Sequence, residues 1–194
     1  MGHALLSRQP LHVVALGGSL DGGRATRLAL AQVLRAAEAA GVEATLLDLA
    51  ELQLPLYAPG SPTPPAAARL AEAVRRADAL VWGSPLYHGS VSGAFKNAID
   101  WLELLARDEP PYLTDKVVAL VATAGGTQGL QAINAMEQMV RALRGVTLPL
   151  VVPIDRAHLA FDAHGVAQAA GLEPLLQRQG QELVRLAAKL RGGR

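Results

Sequence analysis

The 194-residue chain contains no cysteine, which excludes disulfide bonds, a thiolate nucleophile and metal or iron–sulfur centres held by cysteine. It also lacks an apolar run of the roughly 18–20 residues that a membrane-spanning helix needs. Its N-terminus does not have the basic start and long apolar centre of a signal peptide. We therefore expect a cytoplasmic protein that makes no membrane contact.

An excess of charge of one sign is missing as well. Lysine and arginine number 18 and aspartate and glutamate 17, so the formal net charge of +1 creates no field that favours nucleic acid or an anionic membrane. No two of the five histidines stand at the short spacing of a helical metal site, and we expect no metal. These absences leave small-molecule chemistry as the main class of function.

What the chain does contain is a repeated alternation of short apolar runs and helical patterns. The runs are almost continuously apolar, as strands covered on both faces should be. The predicted strands are Leu11–Leu16, Val42–Leu47, Ala79–Trp82, Val117–Val121 and Val146–Val152. The pattern predicts an α/β three-layer sandwich with a five-stranded parallel sheet. Five units favour the flavodoxin-like strand order 2-1-3-4-5 over the six-stranded Rossmann order. We expect residues 1–10 to be a flexible tail and residues 11–194 to form one domain.

Turns rich in glycine and serine follow the first, third and fourth predicted strands. They are Gly17–Arg27, Gly83–Gly89 and Thr123–Gly129. In the order 2-1-3-4-5 these strands are neighbours, so the turns should converge on one crevice at the carboxyl edge of the sheet, where open α/β sheets bind ligands. The first turn leads into a helix, and its glycines and hydroxyl groups suit an anion such as phosphate.

Two known phosphate loops do not fit the first turn. The dinucleotide pattern G-x-G-x-x-G is absent. The P-loop spacing nearly fits from Gly18 to Gly23, but Arg24 and Ala25 stand where a lysine and a magnesium-binding Ser or Thr would be needed. Nucleotide hydrolysis is therefore disfavoured.

The stretch Gly83–Leu102 reads G-S-P-L-Y-H-G-S-V-S-G-A-F-K-N-A-I-D-W-L. It resembles the S-P-x-Y turn and the G-x-x-K-N-x-x-D-W helix of the NAD(P)H-dependent FMN reductase family of flavodoxin-like flavoproteins. The first turn departs from the family pattern G-S-x-R-x-x-S, since Asp21 stands where Arg is frequent and Arg24 where Ser is frequent. We expect Asp21 to face solvent and Arg24 to supply the positive charge for a phosphate.

The resemblance implies FMN as the cofactor and three groups of residues that bind it. The first would hold the phosphate, the second would hold the isoalloxazine ring, and the third would run beside the ring and the ribityl chain. In that order the groups are Ser19, Arg24, Ala25 and Thr26; Pro85, Leu86, Tyr87, His88 and Gly89; and Thr123, Ala124, Gly125, Gly126 and Thr127. Leu86 and Tyr87 would form the apolar wall of the ring site, while His88 and Gly89 would contribute backbone hydrogen bonds. No catalytic side chain is expected, because the flavin carries the chemistry.

The resemblance also implies a function. A hydride would pass from NADPH or NADH to bound FMN, and electrons would pass on to a quinone, a flavin, an azo compound or a metal oxyanion. A homodimer or homotetramer is implied, with the helix of Lys96 and Trp101 near the interface. Two alternatives stay open: a flavodoxin-type one-electron carrier, although such proteins tend to be acidic, and a flavin-free α/β protein that binds a phosphorylated metabolite.

Two further loops are expected outside the three turns. Pro55–Pro65 holds five prolines and is predicted to be exposed. Arg156–Gly165 is predicted to be irregular, with a short edge strand at Leu159–Phe161.

Overall fold

The computed structural model describes residues 10–20 and 24–193. The tail predicted for residues 1–10 lies outside this range except for Pro10. Asp21 lies outside it too, and with it the predicted solvent-facing position of its side chain.

The described ranges form one sheet and the helices that cover it. Its strands are β1 His12–Gly17, β2 Glu43–Asp48, β3 Ala79–Tyr87, β4 Ser90–Val91, β5 Val117–Thr123, β6 Val146–Thr147 and β7 Val152–Ile154. The short β4 folds back antiparallel on the end of β3, and all other pairs are parallel. The parallel order is β2-β1-β3-β5, with β6 and β7 both beside β5. Counted as five parallel strands, this is the predicted order 2-1-3-4-5, which is confirmed.

Helices cover both faces of the sheet and complete three layers. They are α1 Arg24–Glu38, α2 Leu49–Leu52, α3 Pro65–Arg76, α4 Gly93–Asp100, α5 Gly129–Ala142 and α6 Leu172–Gly192. Apolar side chains of α1 and α6 pack on one face, and those of α3, α4 and α5 pack on the other. Within the described ranges, every helix is too short or too polar to cross a membrane.

The fifth predicted strand, Val146–Val152, is not continuous, and that prediction is wrong. Pro149 lies in the interruption, and proline has no N–H group to donate to a neighbouring strand. Gln179, fully buried on α6, fills part of the gap: its Nε2 donates to the carbonyl oxygens of Leu120 in β5 and of Leu150, at 2.9 Å each. A side chain from a helix thus replaces part of the strand pairing.

The carboxyl ends of β1 and β3 lie very close together, where Gly17 pairs with Gly83. A Cβ atom at Gly17 would lie 2.1 Å from the carbonyl oxygen of Gly83, and one at Gly83 would lie 2.9 Å from the side chain of Leu30. The two missing side chains therefore allow α1 to pack tightly on the sheet beside the first Gly-rich turn.

The Asn and Trp of the K-N-x-x-D-W motif hold the loop after α2. Asn97 accepts the amide N–H of Tyr57 on Oδ1 at 2.8 Å and donates from Nδ2 to the carbonyl oxygen of Pro55 at 3.0 Å. Trp101 donates from Nε1 to the same carbonyl at 2.8 Å. This part of the motif is structural.

Candidate functional site

A cavity of about 340 Å³ opens at the carboxyl ends of β1, β3 and β5. Its volume lies within the range of roughly 300–1,000 Å³ that is typical of small-molecule sites. The lining comes from all three Gly-rich turns and from a segment after β7, and consists of Ser19, Arg24, Ala25, Thr26, Leu28, Pro85, Leu86, Tyr87, Thr123, Ala124, Gly125, Ala157, His158 and Phe161. The three turns singled out in the sequence thus meet at one cavity.

Hydrogen bonds between side chains tie the turns to one another. The hydroxyl groups of Thr26 and Thr123 lie 2.6 Å apart, and both residues are buried. The hydroxyl groups of Ser19 and Tyr87 lie 3.2 Å apart. The first turn is therefore bonded to both of the others, and the cavity has walls of defined shape.

The lining of the cavity combines two kinds of chemistry. Ala25 and Thr26 lie in the first turn of α1, where backbone N–H groups have no acceptor within the helix and the helix dipole is positive. Together with the Ser19 hydroxyl, these groups suit an anion. Leu86 and Tyr87, from the end of β3, supply apolar and aromatic surface, and Tyr87 is 44% exposed.

The second turn is fixed by a hairpin and by two serines. His88 and Gly89 have φ angles of +49° and +83°, the positive pair that a type I′ hairpin turn requires. The buried Oγ of Ser84 accepts the amide of Ser92 at 2.9 Å, and Oγ of Ser92 accepts the amide of Phe95 at 3.2 Å, which caps α4. The S-P-x-Y turn is thus joined to the start of the next helix.

The structure brings ten of the predicted site residues to the cavity and leaves four outside its lining. The ten are Ser19, Arg24, Ala25, Thr26, Pro85, Leu86, Tyr87, Thr123, Ala124 and Gly125. Of the others, His88 and Gly89 form the tip of the hairpin, and Gly126 and Thr127 are exposed residues further along the third turn. The binding role of each residue stays a prediction.

Sequence reasoning missed the wall that follows β7. This wall contains Ala157, His158 and Phe161. The edge strand predicted at Leu159–Phe161 is wrong: Ala157–Leu159 is a 3₁₀ helix, and Phe161 forms only an isolated bridge with Ala167. The one available signal was position, because the segment directly follows the fifth strand at the carboxyl edge of the sheet.

Backbone hydrogen bonds explain why this segment does not pair as a strand. The amide of Arg156 donates to the carbonyl oxygen of Gly126 at 2.9 Å, and the amide of Ala157 donates to that of Ala124 at 2.8 Å. The start of the segment is therefore held against the third Gly-rich turn.

Arg24 donates to the turn that follows this segment. Its Nη2 lies 3.0 Å from the carbonyl oxygen of Asp162 and 3.1 Å from that of Ala163. Gln32, further along α1, donates from Nε2 to the carbonyl oxygen of Gly165 at 3.1 Å. The positive charge predicted for a phosphate thus lies against backbone carbonyls.

The carboxylate of Asp162 organises the turn that Arg24 contacts. It accepts the amides of Val166 at 2.9 Å and His164 at 2.8 Å. These bonds, that of Val166 most of all, hold the pKa of Asp162 below its ordinary value of 3.8. Because the folded pKa is depressed, the stabilisation is present above about pH 4 and is lost as the pH falls through the folded pKa. The bonds persist at neutral and mildly acidic pH.

The sequence matches the family described as NADPH-dependent FMN reductase over residues 11–159, which include all three Gly-rich turns. The chain belongs to this family. Over 187 residues it is 32% identical to the NAD(P)H-dependent FMN reductase PA1204 of Pseudomonas aeruginosa, a match that covers 94% of this chain and 98% of that protein. It is 37% identical over 122 residues to an NADPH azoreductase of a Bacillus species, which covers 60% of this chain and 64% of that one.

Solved structures share the fold of this reductase. The flavoenzyme NAD(P)H:(acceptor) oxidoreductase FerB from Paracoccus denitrificans aligns with a TM-score of 0.75 at 22% identity, over 92% of this chain and 98% of that one. The fold is flavodoxin-like, as the strand order predicts. Family membership confirms the predicted enzyme class: the protein is an FMN-dependent NAD(P)H oxidoreductase.

Proposed function

We propose that this reductase holds FMN in the cavity at the carboxyl ends of β1, β3 and β5, within one domain of residues 11–194. The observation that carries the proposal is the mixed lining of that cavity, because a phosphate needs N–H and O–H donors while a flat ring needs apolar walls. The third turn adds space to the cavity, since a Cβ atom at Gly125 would meet no atom within 4 Å. The donor set therefore fits FMN.

Each turn has a part in this proposal. The Ser19 hydroxyl and the first-turn amides of α1 bind the phosphate, and Leu86 and Tyr87 pack against the ring. The amides of His88 and Gly89, at the hairpin tip, face the polar edge of the ring. Thr123, Ala124 and Gly125 run along the ring and the ribityl chain, whereas Gly126 and Thr127 lie outside the cavity lining.

FMN bound there would supply the redox chemistry, which is hydride uptake from NAD(P)H and electron transfer to an acceptor, while the residues of the three turns bind, orient and tune it. This chemistry requires no nucleophilic side chain. The aromatic surfaces of Tyr87 and Phe161 line the cavity and suit a flat acceptor such as a quinone, a flavin or an azo compound. The similarity to an azoreductase supports the azo class, and metal oxyanions form a fourth class to be tested. A cytoplasmic location is proposed because the co-substrate NAD(P)H is supplied inside the cell.

Anaerobic mixing with NADPH, and separately with NADH, tests the proposal. The purified protein should be yellow, and the flavin released by denaturation should be FMN. We expect rapid loss of the flavin absorbance with at least one nucleotide, followed by recovery when an acceptor is added. Dithionite is the control, because it reduces any intact flavin. A flavin that dithionite bleaches but neither nucleotide does would indicate an electron carrier and reject the proposal, and a colourless protein that does not bind FMN would support the flavin-free alternative.

We also propose a homodimer or homotetramer in solution. Leu56, on the loop that Asn97 and Trp101 hold, is 85% exposed, and a surface groove nearby is lined in part by Ile99 and Met139. Apolar surface of this kind is typical of an interface between subunits. Sedimentation velocity should give twice or four times the chain mass, and a monomer at micromolar concentration would contradict the proposal.

A further inference from the structure

We propose that Arg24 is a positioning residue, which holds one wall of the cavity in place instead of binding the FMN phosphate. The wall is the segment Ala157–Phe161, and the inference rests on the proposed FMN site. It reverses the role that the family resemblance implies for the positive charge in the first turn.

One face of α1 holds the turn that follows this segment, residues 162–165. Arg24, Leu28 and Gln32 are spaced four residues apart, so they lie along the same side of the helix. Arg24 donates to the carbonyls of residues 162 and 163, and Gln32 donates to that of Gly165. Gly165 has a φ angle of +82°, and a Cβ atom there would lie 2.9 Å from the side chain of Leu28. The absence of a side chain at Gly165 therefore lets the turn pack closely against this face of α1.

The near end of the segment is held independently by the third Gly-rich turn. The carbonyl oxygens of Ala124 and Gly126 accept the amides of Ala157 and Arg156. The cavity-lining residues of the wall lie between these two attachments. Loss of the Arg24 bonds would therefore weaken the attachment at α1, which Gln32 and Leu28 alone would then maintain.

The bonds of Arg24 also explain why its charge is not required for the phosphate. Both donations from Nη2 go to carbonyl oxygens of the turn, which orients the guanidinium group toward the wall. The Ser19 hydroxyl and the first-turn amides of Ala25 and Thr26 supply phosphate donors without it. Arg24 thus affects the affinity for the flavin indirectly, by holding the wall in position.

Riboflavin separates the two roles, because it has the ring and ribityl chain of FMN without the phosphate. Apoprotein is titrated with FMN and with riboflavin, and the quenching of flavin fluorescence gives each Kd. For Arg24→Ala we expect both Kd values to rise by the same factor, about ten-fold, the size of one charge-assisted hydrogen bond. A rise in the Kd for FMN alone would show that Arg24 binds the phosphate and would overturn the proposal. An unchanged Kd for both flavins would overturn it as well.

Two variants of Asp162 test whether the position of the wall controls flavin affinity, and both keep Arg24 unchanged. Asp162→Ala removes the acceptor that organises the turn, and we expect it to raise the Kd values for FMN and riboflavin as Arg24→Ala does. The double variant Arg24→Ala/Asp162→Ala should have Kd values no higher than those of either single variant. Asp162→Asn keeps an oxygen acceptor and should retain near-normal affinity. Arg27→Ala is the matched control, because it removes the same charge from the same helical turn but loses ion pairs with Asp48 and Glu51, which lie outside the wall and the cavity lining.

Hydrogen exchange gives a measurement that does not depend on flavin. Amides of residues 157–168 should exchange faster in Arg24→Ala and Asp162→Ala than in wild type, and at the wild-type rate in Arg27→Ala. Unchanged exchange in Arg24→Ala would overturn the proposal. Failure of the wild-type protein to bind FMN would instead reject the proposed function, so the two failures are distinguishable.

Discussion

Replacing Gly125 by phenylalanine is expected to abolish tight FMN binding, while the same replacement at Gly126 leaves it nearly unchanged. Both glycines are exposed in the third Gly-rich turn, and a Cβ atom at either one would meet nothing within 4 Å. Both have backbone angles outside the left-handed region, so a side chain adds no backbone strain. Only Gly125 lines the cavity. The phenylalanine side chain of the Gly125 variant would therefore occupy the proposed site, and that of the Gly126 variant would not.

The measurement is the Kd of apoprotein for FMN. For Gly125→Phe we expect a rise of at least about 100-fold, equivalent to ~2.7 kcal/mol of lost binding free energy. For Gly126→Phe we expect a change of less than about three-fold. Thermal unfolding of both apoproteins should match that of wild type, which shows that the loss lies in the site. Equal affinities for the two variants would place FMN elsewhere and contradict the proposed site.

Replacing Gly17 by alanine is expected to be strongly destabilising, with a loss of about 3 kcal/mol or more in the free energy of unfolding. The added Cβ would lie 2.1 Å from the carbonyl oxygen of Gly83. That oxygen belongs to the backbone of β3, which is paired with β1 on one side and β5 on the other, so it cannot move without disturbing the sheet. Because this oxygen cannot move aside, the loss of unfolding free energy should be among the largest that overpacking substitutions cause.

Urea denaturation of the apoprotein measures this loss as a lower midpoint at constant slope. Gly83→Ala is a graded comparison, because its Cβ would meet the Leu30 side chain at 2.9 Å, and a side chain can turn aside. We expect it to lose less stability than Gly17→Ala. Gly93→Ala is the control: it opens α4 with no atom within 4 Å of its Cβ, and its effect should stay within about 0.5 kcal/mol. A Gly17→Ala protein as stable as Gly93→Ala would refute the argument.

The sheet could be predicted wherever its strands are continuous apolar runs. β1, β2, β3 and β5 lie within one residue of their predicted starts, although β3 extends to Tyr87, beyond the predicted end at Trp82. Val146–Val152 is also an apolar run, yet it is interrupted. Part of the reason lies in the run itself, at Pro149, which has no N–H group to donate. The other part lies outside it, because Gln179 of α6 supplies hydrogen bonds to Leu120 and Leu150.

The site could be predicted where its chemistry is local. Glycines and hydroxyl groups directly after a strand are visible in sequence, and three such turns point to one edge of the sheet. The wall at Ala157–Phe161 has no such composition. It lines the cavity because the third turn holds its start and because Arg24 and Gln32 hold the turn beyond it. These contacts join residues that are 30 to 138 positions apart, and they leave no pattern in either segment.

The sequence alone thus determined the flavodoxin-like strand order, the three Gly-rich turns and the family resemblance to FMN reductases. All three follow from short-range patterns: apolar periodicity, turn composition and the spacing of motif residues. Only the tertiary structure decided that the fifth strand is broken, that a fourth segment lines the cavity and that Arg24 donates to the turn after that segment. These depend on which side chains meet when distant elements pack, and a side chain such as Arg24 bonds to the acceptors that packing brings within its reach.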